Sequence, residues 1–344
     1  MIREAISDVV QRKNLTETEM EKVMDEIMSG QATPAQIGSF ITGLRMKGET
    51  VEEIAGAART MRAKASNICV TNRNDEIVLD IVGTGGDGSK TFNVSTTTAF
   101  VAAGAGIKVA KHGNRAVSSQ CGAADVLEGL GVKLDLSPAD VEACIKEIGI
   151  GFLFAPMFHG AMKHAAGPRK DMGIRSVFNL LGPLTNPASA TVLLLGVYDP
   201  GLTEPIARVL NRLGTKEAFV VCGDGPEGIL DEVSICGPTK VSQLKDKEVN
   251  TYHISPEDFG ISRAALSDIV GGDTTENAAI TRTILEGEKG PKTDMVILNA
   301  AAALTAAGLS ADIKEGVSLA RHTLDSGKAV EKLDKLIKYT QKFA

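Results

Sequence analysis

From Ile77 onward the chain alternates short apolar runs with helical stretches, and that alternation restricts the fold more than any other feature. The runs IVLDIV (77–82), IKVA (107–110), GFLFA (151–155), TVLLLGV (191–197) and AFVVCG (218–223) have the length and composition of strands. Helical segments such as ADVLEGLG and PADVEACIKEIG separate most of them. Strands alternating with helices predict an α/β fold with a largely parallel sheet covered by helices on both faces. Residues 274–288 and 310–342 read as further helices, with DMVILNAAAALTAAG (294–308) as a buried helix between them. The segment 245–262, KDKEVNTYHISPEDFGIS, is polar and rich in turn formers and reads as a surface loop.

The first seventy residues follow a different rule. Ile2, Ile6, Val9 and Val10 share one helical face. Thr16 with Glu19 forms a capping-box pattern ahead of Met20, Val23, Met24 and Ile27. Thr33-Pro34 opens a third helix carrying Ile37, Phe40, Ile41 and Leu44, and Thr50 with Glu53 caps a fourth. The expected organisation is a small helical domain over 1–70 and a large α/β domain over 71–344. Part of 165–190 is expected to pack back on the small domain. Four short helices bury little apolar stripe by themselves, so a homodimer through this domain is expected.

Charge and composition narrow the partners. With 37 basic against 43 acidic residues and a net charge of −6, the chain lacks the positive excess of a nucleic-acid binder. Five cysteines without CxxC or paired ligand spacing read as reduced thiols, and no apolar run reaches the ~20 residues of a membrane span. The N-terminus has no signal-peptide core. The expectation is a cytoplasmic protein with no membrane role.

The loop GTGGDGSKT (83–91), directly after the first strand, admits two familiar readings. Gly83, Gly85 and Gly88 match the dinucleotide fingerprint G-x-G-x-x-G, but no Asp or Glu lies between Gly88 and Ala124 to hold a ribose. Lys90-Thr91 ends like a Walker A motif, yet Thr84 stands where that spacing needs glycine. What survives is common to such loops: backbone N–H groups close on phosphate oxygens, and the helix start at Asn93 adds its dipole. The second strand leads into KHGNRAVSS (111–119), which sets Lys111, His112, Asn114 and Arg115 at a strand end. In an open α/β sheet, strand carboxyl ends are where ligands bind. The two strand ends together read as a site for a phosphorylated small molecule.

GTGGDG with TFNVST, KHGNR with its two serines, and FNLLGPLTNP (178–187) together resemble the anthranilate phosphoribosyltransferases, along essentially the whole chain. The resemblance implies transfer of a phosphoribosyl group from 5-phosphoribosyl 1-pyrophosphate (PRPP) to anthranilate, in tryptophan biosynthesis. It implies PRPP contacts from Gly83, Gly86, Asp87, Thr91, Asn93, Val94, Ser95 and Thr96. It extends them through Lys111, His112, Gly113, Asn114, Arg115, Ala116, Val117, Ser118 and Ser119, with Ala123 beside them. Anthranilate falls to Gly83, Asn114, His112, His159 and Arg169, the last meeting its carboxylate. Ser95, Asp231 and Glu232 become ligands of Mg²⁺, two ions per subunit. No covalent nucleophile is implied: Lys111, Arg115 and Mg²⁺ stabilise charge. Three positions depart from the family pattern, namely Ala123 for serine, Cys222 for histidine, and Gly167-Pro168 ahead of Arg169. A dinucleotide oxidoreductase, a nucleic-acid-binding relative and a nucleoside phosphorylase stand as alternatives.

Overall fold

The computed structural model describes residues 1–71, 76–116, 120–225 and 228–343. Helices α1 (Ile2–Val10), α2 (Glu17–Met28), α3 (Pro34–Lys47) and α4 (Val51–Lys64) form the first layer. The caps follow the chemistry of the sequence: Thr16 with Glu19, Thr33 with Gln36, and Thr50 with Glu53 all close capping boxes. Each threonine cap is worth about 1 kcal/mol. Glu53 does more than cap. Buried completely, it accepts from the Leu15 N–H at 2.9 Å and pairs with Lys47 Nζ at 2.9 Å, tying three helix ends together.

The remainder alternates strands and helices. In chain order these are β1 (Val78–Gly83), α5 (Val94–Gly104), β2 (Lys108–Gly113), α6 (Ala123–Gly129), α7 (Pro138–Ile148) and β3 (Ile150–Phe154). Next come α8 (Ala155–Phe158), α9 (Lys163–Met172), α10 (Val177–Leu184), β4 (Val192–Gly196) and α11 (Thr203–Arg212). Then follow β5 (Glu217–Gly225), β6 (Gly228–Leu230), β7 (Thr239–Lys245) and β8 (Glu248–Ile254), and last α12 (Thr274–Leu285), α13 (Pro291–Ala306), α14 (Ile313–Asp325) and α15 (Lys328–Thr340).

The sheet runs β3-β2-β1-β4-β5-β7-β8, with β6 also paired to β5. The first five strands are parallel, and β5, β7 and β8 are antiparallel neighbours. The expected surface loop at 245–262 is therefore corrected: its first half is the edge strand β8, paired from Glu248 to Ile254. Its residues are mostly exposed, so no buried face imposed an apolar alternation that the sequence could display.

Two cores sandwich the sheet. Leu79, Ile81, Val109, Leu194 and Phe219 pack under α5 and α13. On the other face, Val78, Ala110, Leu193, Leu195 and Val220 join one continuous cluster with Met24, Ile27, Phe40 and Leu44 of the helical layer. Phe158, Phe178 and Leu181, from α8 and α10, complete that cluster. The helical layer thus shares its core with one face of the sheet. Helix α9 lies on α3, where Thr42 Oγ1 donates to Met172 Sδ at 3.3 Å. Arg62 of α4 seals the seam by donating to the carbonyls of Leu184 and Leu213.

Candidate active site

The chain leaves β1 toward β2 and β3, then returns on the other side of β1 with β4. Such a reversal opens a crevice at the carboxyl ends of the two central strands. Gly83 and Gly196 sit opposite each other at those ends. The Asp231 segment lies across both. A Cβ at Gly83 would strike the Asp231 carboxylate, and one at Gly196 would strike the Asp231 carbonyl. Glycine at both strand ends is what admits the acidic segment. Strand β6 stops at Leu230, so Asp231 and Glu232 occupy an irregular stretch and escape the opposite orientations a strand would force on them.

Asp231 Oδ2 accepts the Gly85 N–H at 2.7 Å, and the Asp231 N–H donates to Asp87 Oδ2 at 3.2 Å. Glu232 Oε1 accepts the N–H of Ser95, in the first turn of α5, at 3.1 Å. Burial and the neighbouring Asp87 push Asp231 up to about 7. Burial and Asp231 push Glu232 well above its ordinary range. Carboxylates crowded this way demand protons or a cation. Among the described residues no three acidic, histidine or cysteine side chains converge as a preformed cage. An all-oxygen set of few carboxylates suits Mg²⁺, which completes its octahedron with water and substrate phosphates. The donor chemistry therefore fits that ion.

Strand β2 extends past the expected IKVA to Gly113, paired with β3 through Phe154, so Lys111 and His112 are strand residues. Lys111 is buried and donates from Nζ to the Ile81 carbonyl at 2.6 Å and to Ser95 Oγ at 3.4 Å. Burial lowers its pKa, while Asp80 and Glu232 oppose the fall. His112, its neighbour, faces the other way. Its ring centroid is 5.1 Å from that of His159. Burial drives His112 down to about 3 and His159 to about 4, so both are neutral near pH 7. The Nε2 atoms of both are buried without a partner among the described residues.

His159 follows α8, while His164 lies in α9 and covers Gly30 of the helical layer. Arg169, also in α9, is half-buried over the Phe178 ring at 5.0 Å, and burial lowers its pKa.

At the loop, Thr91 bridges to Val270, and Asn93 heads α5 with its Nδ2 on the Cys121 carbonyl and its Oδ1 buried with no partner among the described residues. Val94 and Thr96 are buried, and Thr96 Oγ1 also lacks a partner among the described residues. Gly113 packs against Phe152 and Ala123, and Asn114 Oδ1 accepts the Arg115 N–H at 2.8 Å. Arg115 stands apart from the acids of the crevice, its guanidinium held by Asp125 at 3.0 Å and Glu128 at 2.7 Å. The same Asp125 takes the Ala116 N–H at 2.9 Å. Val117, Ser118 and Ser119 lie outside the described residues.

Three residues here escaped the reading of the sequence. Asp80, buried in β1 and raised to about 6, accepts from the His112 N–H at 3.1 Å and from Asn186 Nδ2 at 2.7 Å. The lone acid inside IVLDIV was its visible signal. Asn186 lies in the quoted FNLLGPLTNP, but nothing there showed what it holds. Arg175 reaches the Gly-rich loop and had no signal.

Comparison with known proteins agrees along the full chain. Residues 75–330 match the glycosyl transferase family a/b domain, and residues 3–65 match the helical bundle domain of that family. An anthranilate phosphoribosyltransferase of Acetivibrio thermocellus is 55% identical over 344 residues, covering 100% of this chain and 98% of that protein. The crystal structure of the Thermus thermophilus enzyme superposes with a TM-score of 0.92 at 44% identity, covering 98% of this chain and 99% of that one. The Saccharomyces cerevisiae enzyme in complex with PRPP and Mg superposes at 0.90 with 31% identity, over 99% and 98% of the two chains. It has also been solved with 4-fluoroanthranilate. With both domains matched and more than half of its residues shared with a full-length relative, the chain belongs to the anthranilate phosphoribosyltransferases.

Proposed function

We propose that the crevice at the carboxyl ends of β1, β2 and β4 is where this chain performs the reaction of its family. The phosphoribosyl group of PRPP passes to the amino group of anthranilate, giving N-(5-phosphoribosyl)anthranilate and pyrophosphate, in tryptophan biosynthesis. One observation carries the residue roles: Lys111 and His112 divide β2's end into a phosphate side and an acceptor side.

On the phosphate side, the Gly-rich loop from Gly83 through Gly86 and Asp87 to Thr91, the stretch Asn93 to Thr96, and Lys111 surround PRPP. Backbone N–H groups and the buried ammonium stabilise the negative charge that grows on the leaving pyrophosphate. Ser95, Asp231 and Glu232 hold Mg²⁺, two ions per subunit, which neutralises pyrophosphate charge when bound. On the acceptor side, Gly83, Asn114, His112 and His159 line the anthranilate pocket, and Arg169 meets the carboxylate in the bidentate way that suits a guanidinium. Anthranilate amine is a weak nucleophile, so holding it against the anomeric carbon supplies much of the rate. Arg115 to Ser119, with Ala123, complete the PRPP envelope.

Val10 and Met46 are strongly exposed on α1 and α3, two helices that pack on each other. This apolar patch supports a homodimer through the helical layer, which light scattering at micromolar concentration checks. No helix among the described residues is long and apolar enough to cross a membrane. A cytoplasmic location accords with the chemistry. The activity is tested by mixing protein, PRPP and Mg²⁺ with anthranilate and following the loss of anthranilate fluorescence. No loss at any protein concentration overturns the reading.

A further inference from the structure

A loop this rich in glycine is loose by composition, so something must hold it. Gly85, Gly86 and Gly88 adopt φ of +67°, +75° and +82°, and ordering glycine costs more entropy than ordering any other residue. The stem is pinned by the Thr84 N–H on the Gly196 carbonyl at 2.9 Å and by the Tyr198 N–H on Thr84 Oγ1 at 3.2 Å. Farther along, Arg175 takes over. It lies in the link between α9 and α10, donates from Nη2 to the Gly86 carbonyl, and lays its guanidinium over the Tyr198 ring, 4.4 Å from the centroid.

The consequence follows from peptide geometry. The described peptide bonds are all trans, so the Gly86 carbonyl and the Asp87 N–H point in opposite directions. With the carbonyl held toward Arg175, the Asp87 N–H is turned away from it. The inner edge of the loop is marked by the Gly85 N–H, which points at Asp231 in the crevice at 2.7 Å. Successive N–H groups presented by a left-handed turn form an anion-binding concavity. We propose that Arg175 is a positioning residue for the pyrophosphate group: it holds the Gly86 carbonyl outward and thereby turns the Asp87 N–H toward the phosphate. This rests on the reading that the crevice binds PRPP.

The test is calorimetric titration with pyrophosphate plus Mg²⁺, and with PRPP plus Mg²⁺, in the absence of anthranilate. Arg175→Ala raises both Kd values about tenfold, the loss of one charge-assisted hydrogen bond. Arg175→Lys keeps a donor without the flat stack and loses about threefold. In turnover, Arg175→Ala raises the KM for PRPP and leaves kcat within about twofold, because no contact made only in the transition state has gone. If the alanine variant does not fold, Arg175→Gln replaces it under the same criteria. Kd values within twofold of the parent overturn the proposal, as does a fall in kcat with unchanged KM. Failure of the parent protein itself to bind either ligand overturns the crevice reading instead.

Discussion

Lys111 and His112 are chain neighbours whose side chains leave β2 on opposite faces. Lys111 reaches Ser95 at the start of α5, and the His112 ring lies 5.1 Å from His159 on the side of the helical layer. Period-two alternation on one strand thus separates a buried ammonium-bearing side chain from a pair of neutral rings.

Arg169 belongs to the ring side. Removing one partner of a desolvated charge pair costs roughly 2–5 kcal/mol, on the order of 30- to 4,000-fold in affinity. Arg169→Ala should raise the KM for anthranilate by at least the lower figure and change that for PRPP little. Arg115→Ala should act on the PRPP side only, and modestly, since Asp125 and Glu128 already neutralise that guanidinium. Steady-state kinetics with each substrate varied checks both. An anthranilate KM within about twofold of the parent in Arg169→Ala would reduce Arg169 to a packing residue.

Glu232 lies on the Lys111 side, since both reach Ser95, and Asp231 precedes it in the chain. Replacing Asp231 and Glu232 with Ala removes two carboxylates while relieving their mutual repulsion. The protein should fold at least as stably, and the Mg²⁺ concentration for half-maximal rate should rise about tenfold or more, with reduced turnover. An unchanged Mg²⁺ profile would show that the pair does not hold metal.

Gly196→Ala places a methyl against the Asp231 carbonyl, a backbone atom that cannot swing aside. Overpacking of this kind costs about 1–3 kcal/mol. Thermal melting should fall by several degrees, and the Mg²⁺ requirement should shift as Asp231 moves. Gly167→Ala, with nothing within 4 Å of the added carbon and a helical position that favours alanine, should melt no lower than the parent.

Much of this arrangement is legible in the chain. Thr16 with Glu19 and Thr50 with Glu53 announce their helices, because a cap is a local hydrogen bond between residues three apart. The parallel strands announce themselves because both of their faces are buried. Strand β8 does not, since an edge strand bordered by solvent needs no apolar pattern. Lys111 stands out in the strand-end run KHGNR, whereas Asp231 is singled out only by the family resemblance. The Arg175 contact with Gly86 spans 89 residues and follows from topology alone, so no local pattern could disclose it.

His159 gives the pH dependence its sign. Its pKa is about 4 in the fold against about 6.5 unfolded, so the unfolded chain binds the extra proton between those values. The stability that a neutral His159 contributes is present above pH 6.5 and is lost as pH falls through about 4. Buried acids such as Asp80 titrate with the opposite sign, so the comparison is made against His159→Gln. The stability difference between parent and variant should shrink by roughly 3 kcal/mol from pH 7 to pH 4 in urea denaturation. A difference independent of pH would mean that the imidazole is solvated.

The central claim is a one-for-one exchange at the crevice between β1 and β4. Its most direct measurement counts pyrophosphate released and anthranilate consumed in the same reaction, with PRPP and Mg²⁺ in excess. Equal amounts are predicted, with a product carrying one phosphoribosyl group on the anthranilate nitrogen by mass spectrometry, and no pyrophosphate without anthranilate. Pyrophosphate released at the same rate when anthranilate is omitted would contradict the claim, because the acceptor would then play no part in breaking the anomeric bond.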